Sequence, residues 1–178
     1  MYTYGPVPSR RLGKSIGVSP IPSKTCDYSC VYCQLGRTNN FTAKRQSFFD
    51  KQEIIKELSG RVQNSDADYI TLVGDGEPTL NSDLGWLINR CRGNFNIPIA
   101  VITNGSLLFQ KKVQEELQNA DLVMPSIDAG CQKTFRKINR PHKDLYFQEI
   151  INGIIDFSMS FKGTVWTETM LVKDYNDN

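Results

Sequence analysis

Cys26, Cys30 and Cys33 lie within one short stretch, separated by three and then two residues. At that spacing three sulfurs can serve one metal centre without help from distant chain. A structural zinc site takes four ligands, usually as two separated pairs. An iron-sulfur cube can instead take three cysteines and leave one iron free, an open position that invites a substrate or cofactor. The competing reading is a zinc knuckle whose fourth ligand is Cys91, Cys131 or His142, the only histidine. Five cysteines are an odd number, and with only three of them clustered they do not form a disulfide framework.

A second constellation is Gly74-Asp75-Gly76-Glu77-Pro78. Glycines let backbone approach a ligand closely, and a carboxylate at Glu77 can accept from an ammonium group, provided Asp75 points away. The same pentapeptide also reads as a turn followed by a helix N-terminus. Further polar groups stand at Thr103-Asn104-Gly105, at Ser126-Ile127-Asp128, and at Glu168 with Thr169. The first two are equally ordinary strand-to-loop residues, and the last pair falls inside a predicted strand. Tyr32, just before the last clustered cysteine, has an aromatic face that suits either a stacked base or a shield over a metal centre.

These residues need a scaffold, and the hydrophobic pattern supplies one. Ser15 to Ser19 is a candidate first strand, closed by Pro20 and Pro22, and a long cysteine-bearing loop follows to about Asn40. Ile54, Ile55, Leu58 and Val62 repeat at helical spacing behind Asp50 as N-cap, with Glu53 three residues on. Tyr69 to Val73 is a β-rich run, then Leu84, Leu87, Ile88 and Cys91 make a helical stripe. The order repeats with Ile97 to Thr103 as strand and Phe109, Val113, Leu117 and Ala120 as helical face. Leu122 to Met124 is a fourth strand ending near Pro125; Phe147, Ile150, Ile151, Ile154 and Ile155 mark another helix, and Thr164 to Val172 a fifth strand. The segment from Asp128 to Asp144 stretches the last repeat.

Alternating strands and helices predict an α/β fold with a parallel sheet, either doubly wound or closed towards a barrel. Every candidate motif then falls just after a predicted strand, at the carboxyl ends where α/β sites assemble.

The triad, with Tyr32 before its last cysteine, resembles the radical S-adenosylmethionine superfamily. The resemblance extends through Gly5-Pro6-Val7-Pro8-Ser9-Arg10-Arg11-Leu12-Gly13, Lys24-Thr25-Cys26, Cys33-Gln34-Leu35-Gly36-Arg37-Thr38 and Gly76-Glu77-Pro78-Thr79-Leu80 to a branch of iron-sulfur oxidoreductases often labelled wyosine-synthase-like. It implies a partial (βα) barrel with parallel strands and a [4Fe-4S] cluster on Cys26, Cys30 and Cys33. The fourth iron would chelate S-adenosyl-L-methionine, whose reductive cleavage yields a 5′-deoxyadenosyl radical that abstracts hydrogen from a substrate. Gly74, Asp75, Gly76 and Glu77 stand where the superfamily carries a Gly-Gly-Glu-Pro-like motif, with Asp75 in place of the first glycine of the pair. Asn104, Ser126 and Asp128 resemble its ribose and carboxylate contacts, and Tyr32 would lie near the adenine or cover the cluster. The implied electron donor is a flavodoxin or ferredoxin. A structural metal-binding or electron-transfer module without this chemistry stays open as the alternative.

Length and composition fit one domain. The chain has 178 residues, 39% of them hydrophobic and 22% charged, which excludes disordered, collagen-like and coiled-coil classes. The expectation is a single radical SAM core over residues 1–178, with an N-terminal extension over 1–14. Nothing approaches a membrane-spanning apolar run or a signal peptide, so the expected location is the cytoplasm, with no membrane partner. The net charge of +2 singles out no partner. Locally, Lys133, Arg136, Lys137, Arg140 and Lys143 fall in a stretch without acids, and the expectation places Arg10, Arg11 and Lys14 near them; this suits a phosphate-bearing substrate such as tRNA, or equally a solvated loop, with a small molecule or a protein residue as the other substrates. Because the resemblance calls for six strands, the chain reads as truncated after the fifth, leaving an open sheet edge.

Overall fold

Asp50 starts the first helix as expected: its side chain accepts the Gln52 amide at 2.8 Å, Glu53 sits in the first turn and Arg61 in the last. This helix, α1 (Lys51–Gln63), buries Ile54, Ile55 and Leu58. The structure, a computed structural model, describes residues 1–177. In chain order it contains β1 (Thr3–Ser9), β2 (Gly13–Val18), β3 (Thr25–Cys26), β4 (Asn40–Phe41), α1, β5 (Tyr69–Leu72), a 3-10 turn (Pro78–Leu80) and α2 (Leu84–Asn94). Then come β6 (Ile99–Thr103), α3 (Lys111–Leu117), β7 (Leu122–Pro125), α4 (Gln132–Ile138), α5 (Phe147–Ser160) and β8 (Thr164–Val165).

The main sheet runs β1-β2-β5-β6-β7-β8, with β1 antiparallel to β2 and all later pairs parallel. Alternation along the strands sorts the side chains. Ile16, Val18, Ile70, Leu72, Ile99, Val101 and Val123 enter one core with the apolar stripes of the helices. The opposite parity, Ala100, Leu122 and Met124, forms a smaller cluster closed by Leu12, to which no helix contributes among the described residues. Helices on one face of a mostly parallel sheet are the layering of a partial barrel.

The structure adds to the sequence reading in three places. Within residues 1–14, Thr3–Ser9 pair with the strand that starts at Gly13, as β1 and β2. Pro6 and Pro8 hide this strand in the sequence, and it tolerates them because an edge strand can spare those ladder donors. α1 grips it, Arg61 donating to the carbonyls of Thr3 at 3.0 Å and Gly5 at 2.8 Å.

The fifth strand shrinks from Thr164–Val172 to Thr164–Val165, followed by an isolated bridge between Ser126 and Glu168. Backbone pairing with the neighbouring segment runs on to Glu168, whose amide donates to Pro125 O at 3.0 Å and whose carbonyl accepts the Ile127 amide at 2.8 Å; beyond it the Met170 amide turns to Asp128 Oδ1 at 2.9 Å.

The stretch from Asp128 to Asp144 contains α4, whose two buried residues, Phe135 and Ile138, give too little periodicity to read among basic neighbours. Lys14 lies at the amino ends of the strands and pairs with Asp66, away from the loops that carry the candidate motifs.

Candidate metal centre and cofactor cleft

Cys26 ends β3, which pairs in parallel with β4 so that Cys26 faces Phe41 in register. The turns beyond it are local: the Tyr28 amide points at Cys26 Sγ at 3.4 Å, the Cys33 amide donates to Cys30 O at 3.2 Å, and the Gly36 amide to Cys33 O at 2.9 Å. Two distant segments pin this loop. The end of α4 accepts the Val31 amide at Ile138 O (2.9 Å) and the Ser29 amide at Asn139 O (3.0 Å), while His142 N donates to Asp27 O at 2.7 Å. Behind β5, Asp75 O accepts the Lys24 amide at 2.5 Å and the Glu77 amide donates to Thr25 O at 3.0 Å.

Glycine is required at that second junction. A Cβ on Gly76 would overlap the Thr25 carbonyl, and one on Gly74 would press into Ile21 Cγ2 at 2.7 Å. Asp75 itself is exposed, so the residue standing for the first glycine of the pair directs its carboxylate outward and spends only its backbone on the loop.

Cys26, Cys30, Cys33, Gly74, Asp75 and Gly76 thus line one cavity of about 170 Å3. The three thiols share it without closing into the shell of a single ion. Burial pushes the Cys26 thiol well up and the Cys30 thiol up to about 11, so a metal must displace protons to bind there.

None of the three side chains considered as a fourth ligand lines this cavity among the described residues. Cys91 is buried in the apolar face of α2, Cys131 is exposed at the start of α4, and His142 meets the Phe41 ring in a tilted contact at 5.3 Å and lies beside Asp144. The donor set therefore fits a centre that takes three thiolates and keeps a position open, in a cavity also lined by the glycine junction.

The remaining expected residues divide. Glu77 is buried: its Oε1 accepts from the Thr79 amide (2.9 Å), the Thr79 hydroxyl (2.6 Å) and the Thr103 hydroxyl (2.6 Å), and its Oε2 from the Asn104 amide (2.7 Å). Asn104, Tyr32 and Asp128 stand behind the sulfurs: Asn104 Nδ2 is 3.7 Å from Cys26 Sγ, and the Tyr32 hydroxyl bonds Asp128 Oδ2 and neighbours Cys30. Ser126 lies apart, half-buried at the end of β7, its amide on Thr103 O at 3.0 Å.

Two further residues escaped the sequence reading. Asp27 is buried beside Cys26, accepting from Asn104 Nδ2 at 2.6 Å and the Ser106 hydroxyl at 2.5 Å; burial, then the nearby Glu77, pushes its carboxyl upward. Asn139 is buried against Cys30. An Asp beside a cysteine and an Asn after a short basic helix look solvated in a sequence, because nothing local encodes the segments that cover them.

Residues 21–178 match the family profile described as the Radical SAM superfamily. The chain is 47% identical over 172 residues to a "UPF0026 protein" of Methanocaldococcus jannaschii, covering 95% of this chain and 53% of that protein. It is 46% identical to a "GTPase Obg" of Brachyspira hyodysenteriae, covering 98% of this chain but 26% of that protein, so the chain spans about half or less of these relatives. A solved structure of TYW1 with a lysine-pyruvate adduct bound superposes with a TM-score of 0.65 at 17% identity, over 94% of this chain and 59% of that one, a likeness of fold. With its cysteine loop, its glycine junction and a matching profile over most of its length, the chain belongs to the radical SAM superfamily.

Proposed function

We propose that Cys26, Cys30 and Cys33 hold a [4Fe-4S] cluster and that S-adenosyl-L-methionine binds its fourth iron in the cleft beside Gly74, Asp75 and Gly76. The observation that carries this reading is the cavity shared by the three thiols and the glycine junction. Bound there, the cluster and its sulfonium ligand supply reductive cleavage of the C5′–S bond and hydrogen abstraction from a substrate.

The chain's own residues bind and orient. The backbone of Gly74 to Gly76, packed down on Ile21 and Thr25, is presented to the methionine end of the cofactor. Ser126, at the end of β7, offers a hydroxyl to the ribose. Glu77, engaged by Thr79, Thr103 and Asn104, serves by holding the junction in shape. Tyr28 and Leu35, which also line the cavity, limit water at the reacting atoms.

The reading calls for a one-electron donor, a flavodoxin or ferredoxin. For the substrate we favour a phosphate-bearing molecule such as tRNA: Lys133, Arg136, Arg140 and Lys143 are all exposed around α4 and its C-terminal turn, which pins the cysteine loop. A polyanion bound there loses affinity steeply with added salt; salt-independent binding, or a small-molecule substrate, removes the tRNA assignment and leaves the chemistry.

The deciding experiment is anaerobic reconstitution with iron and sulfide, then reduction in the presence of S-adenosyl-L-methionine. About four irons per chain and 5′-deoxyadenosine are expected, both lost in Cys30→Ala. Tightly held zinc with no product overturns the proposal in favour of a structural metal module.

A further inference from the structure

Two of the three thiols have the same kind of neighbour. Asn104 Nδ2 lies 3.7 Å from Cys26 Sγ and donates to Asp27 Oδ1 at 2.6 Å. Asn139 Nδ2 lies 3.5 Å from Cys30 Sγ and donates to Asp128 Oδ2 at 2.7 Å. A side-chain amide has two protons. In both places one proton goes to a carboxylate and the other faces a sulfur. Among the described residues, no side-chain hydrogen bond reaches Cys33 Sγ.

The carboxylates hold these amides in that orientation. Asp27 is 0% exposed and Asp128 5%. The second oxygen of each is occupied, Asp27 Oδ2 by the Ser106 hydroxyl at 2.5 Å and Asp128 Oδ1 by the Met170 amide at 2.9 Å. Rotating either asparagine by half a turn would set its carbonyl oxygen against an acceptor, so the nitrogen must face the sulfur. Asn139 is itself 3% exposed, and Asn104 Oδ1 is taken by the Ser106 amide at 2.9 Å. The two pairs come from unrelated parts of the chain, the turn after β6 with the end of β3, and the end of α4 with the loop after β7. Local sequence cannot have produced the same device twice.

We infer that Asn104 and Asn139 set the reduction potential of the cluster by donating hydrogen bonds to the Cys26 and Cys30 thiolates. The inference rests on the cluster reading above. Hydrogen bonds to ligating sulfur stabilise the more negative, reduced state, so each donor raises the potential, and fixed amides do so without a mobile charge.

The test is an EPR-monitored potentiometric titration of the reconstituted chain and of Asn139→Leu, Asn104→Leu and the double variant. Leucine keeps the volume and removes the donor. Each single variant is expected to retain its iron and sulfide and to make reduction about tenfold less favourable, a shift of about 59 mV to more negative potential for one electron. The double variant should show roughly the sum. Loaded variants with the wild-type potential overturn the inference.

If a variant fails to fold, the unmutated chain still decides: with 15N-asparagine incorporated, pulsed EPR of the reduced cluster should detect asparagine nitrogens weakly coupled to the spin, and their absence overturns the assignment. Failure of the wild-type chain to take up any cluster would sink the cluster reading and this inference together, whereas an unshifted potential sinks this one alone.

Discussion

Glu77 Oε1 accepts the Thr103 hydroxyl at 2.6 Å, which stitches the loop after β5 to the end of β6. The same buried carboxylate answers the Thr79 amide and hydroxyl, themselves buried, and the half-buried Asn104 amide. Burial pushes its carboxyl upward against the pull of these donors. Glu77→Ala would leave several buried donors unanswered, and the expected loss is on the order of 3 kcal/mol in urea denaturation. Glu77→Gln keeps the shape and one acceptor oxygen and should lose less. A Glu77→Ala chain within about 0.5 kcal/mol of wild type would contradict the stitching role.

Gly76 and the Thr25 carbonyl approach too closely for any side chain. Gly76→Ala must push the glycine junction off β3, because the obstacle is backbone rather than the flexible end of a side chain. The expected result is a loss of about 1–3 kcal/mol and a cysteine loop that holds iron poorly. Iron and sulfide analysis after reconstitution checks it; full loading with unchanged stability would mean the junction can yield.

Much of this architecture is legible in the sequence, and the limits are physical. The parallel strands β2, β5, β6 and β7 show as β-rich runs because they are largely buried, and α1 announces itself through Asp50 and a clean stripe. The cysteine triad is local, so spacing alone finds it. What the sequence hides is long-range. β1 carries two prolines, α4 is too short for periodicity, and the run after β8 has apolar residues such as Trp166 and Leu171 that stay exposed. Asp27 and Asn139 matter only because chain more than seventy residues away folds over them. Asn104 and Asp128 are visible as polar strand ends, but their direction, towards the sulfurs, depends on those hidden partners.

Arg45 and Glu116 form a nearly buried pair, with side chains 11% and 14% exposed. The guanidinium reaches both carboxylate oxygens, at 3.1 and 2.5 Å, and also donates to the carbonyls of Thr79 at 2.7 Å and Asn81 at 3.0 Å, clamping the turn behind Glu77 to α3. Gly85 on α2 makes room, since a Cβ there would press on Glu116 Cγ at 2.7 Å. Arg45→Met leaves a shielded carboxylate without its cation, and about 3–5 kcal/mol should be lost. Arg45→Met with Glu116→Leu should recover part of that. A double-mutant cycle reads the coupling, and additive single effects would show that the pair does not act as a unit.

Glu57 gives the fold an acid-sensitive fastening. Its Oε1 accepts from the Tyr2 amide at 2.8 Å, the Thr3 amide at 2.7 Å and the Thr3 hydroxyl at 2.8 Å, tying β1 to α1. Partial burial pushes the carboxyl up, but the Thr3 and Tyr2 donors outweigh it and hold it below the ordinary range. A carboxyl depressed in the folded state contributes stability that is fully present above its unfolded value of about 4.3 and is lost as pH falls through the folded value. Glu57→Gln keeps an acceptor oxygen but loses the charge. It should therefore unfold at lower urea than wild type at pH 7, and the gap should narrow once the pH drops below about 4. Urea midpoints measured at pH 7 and pH 3 decide the matter: a gap of the same size at both would mean that the charge on Glu57 contributes nothing to holding the edge strand.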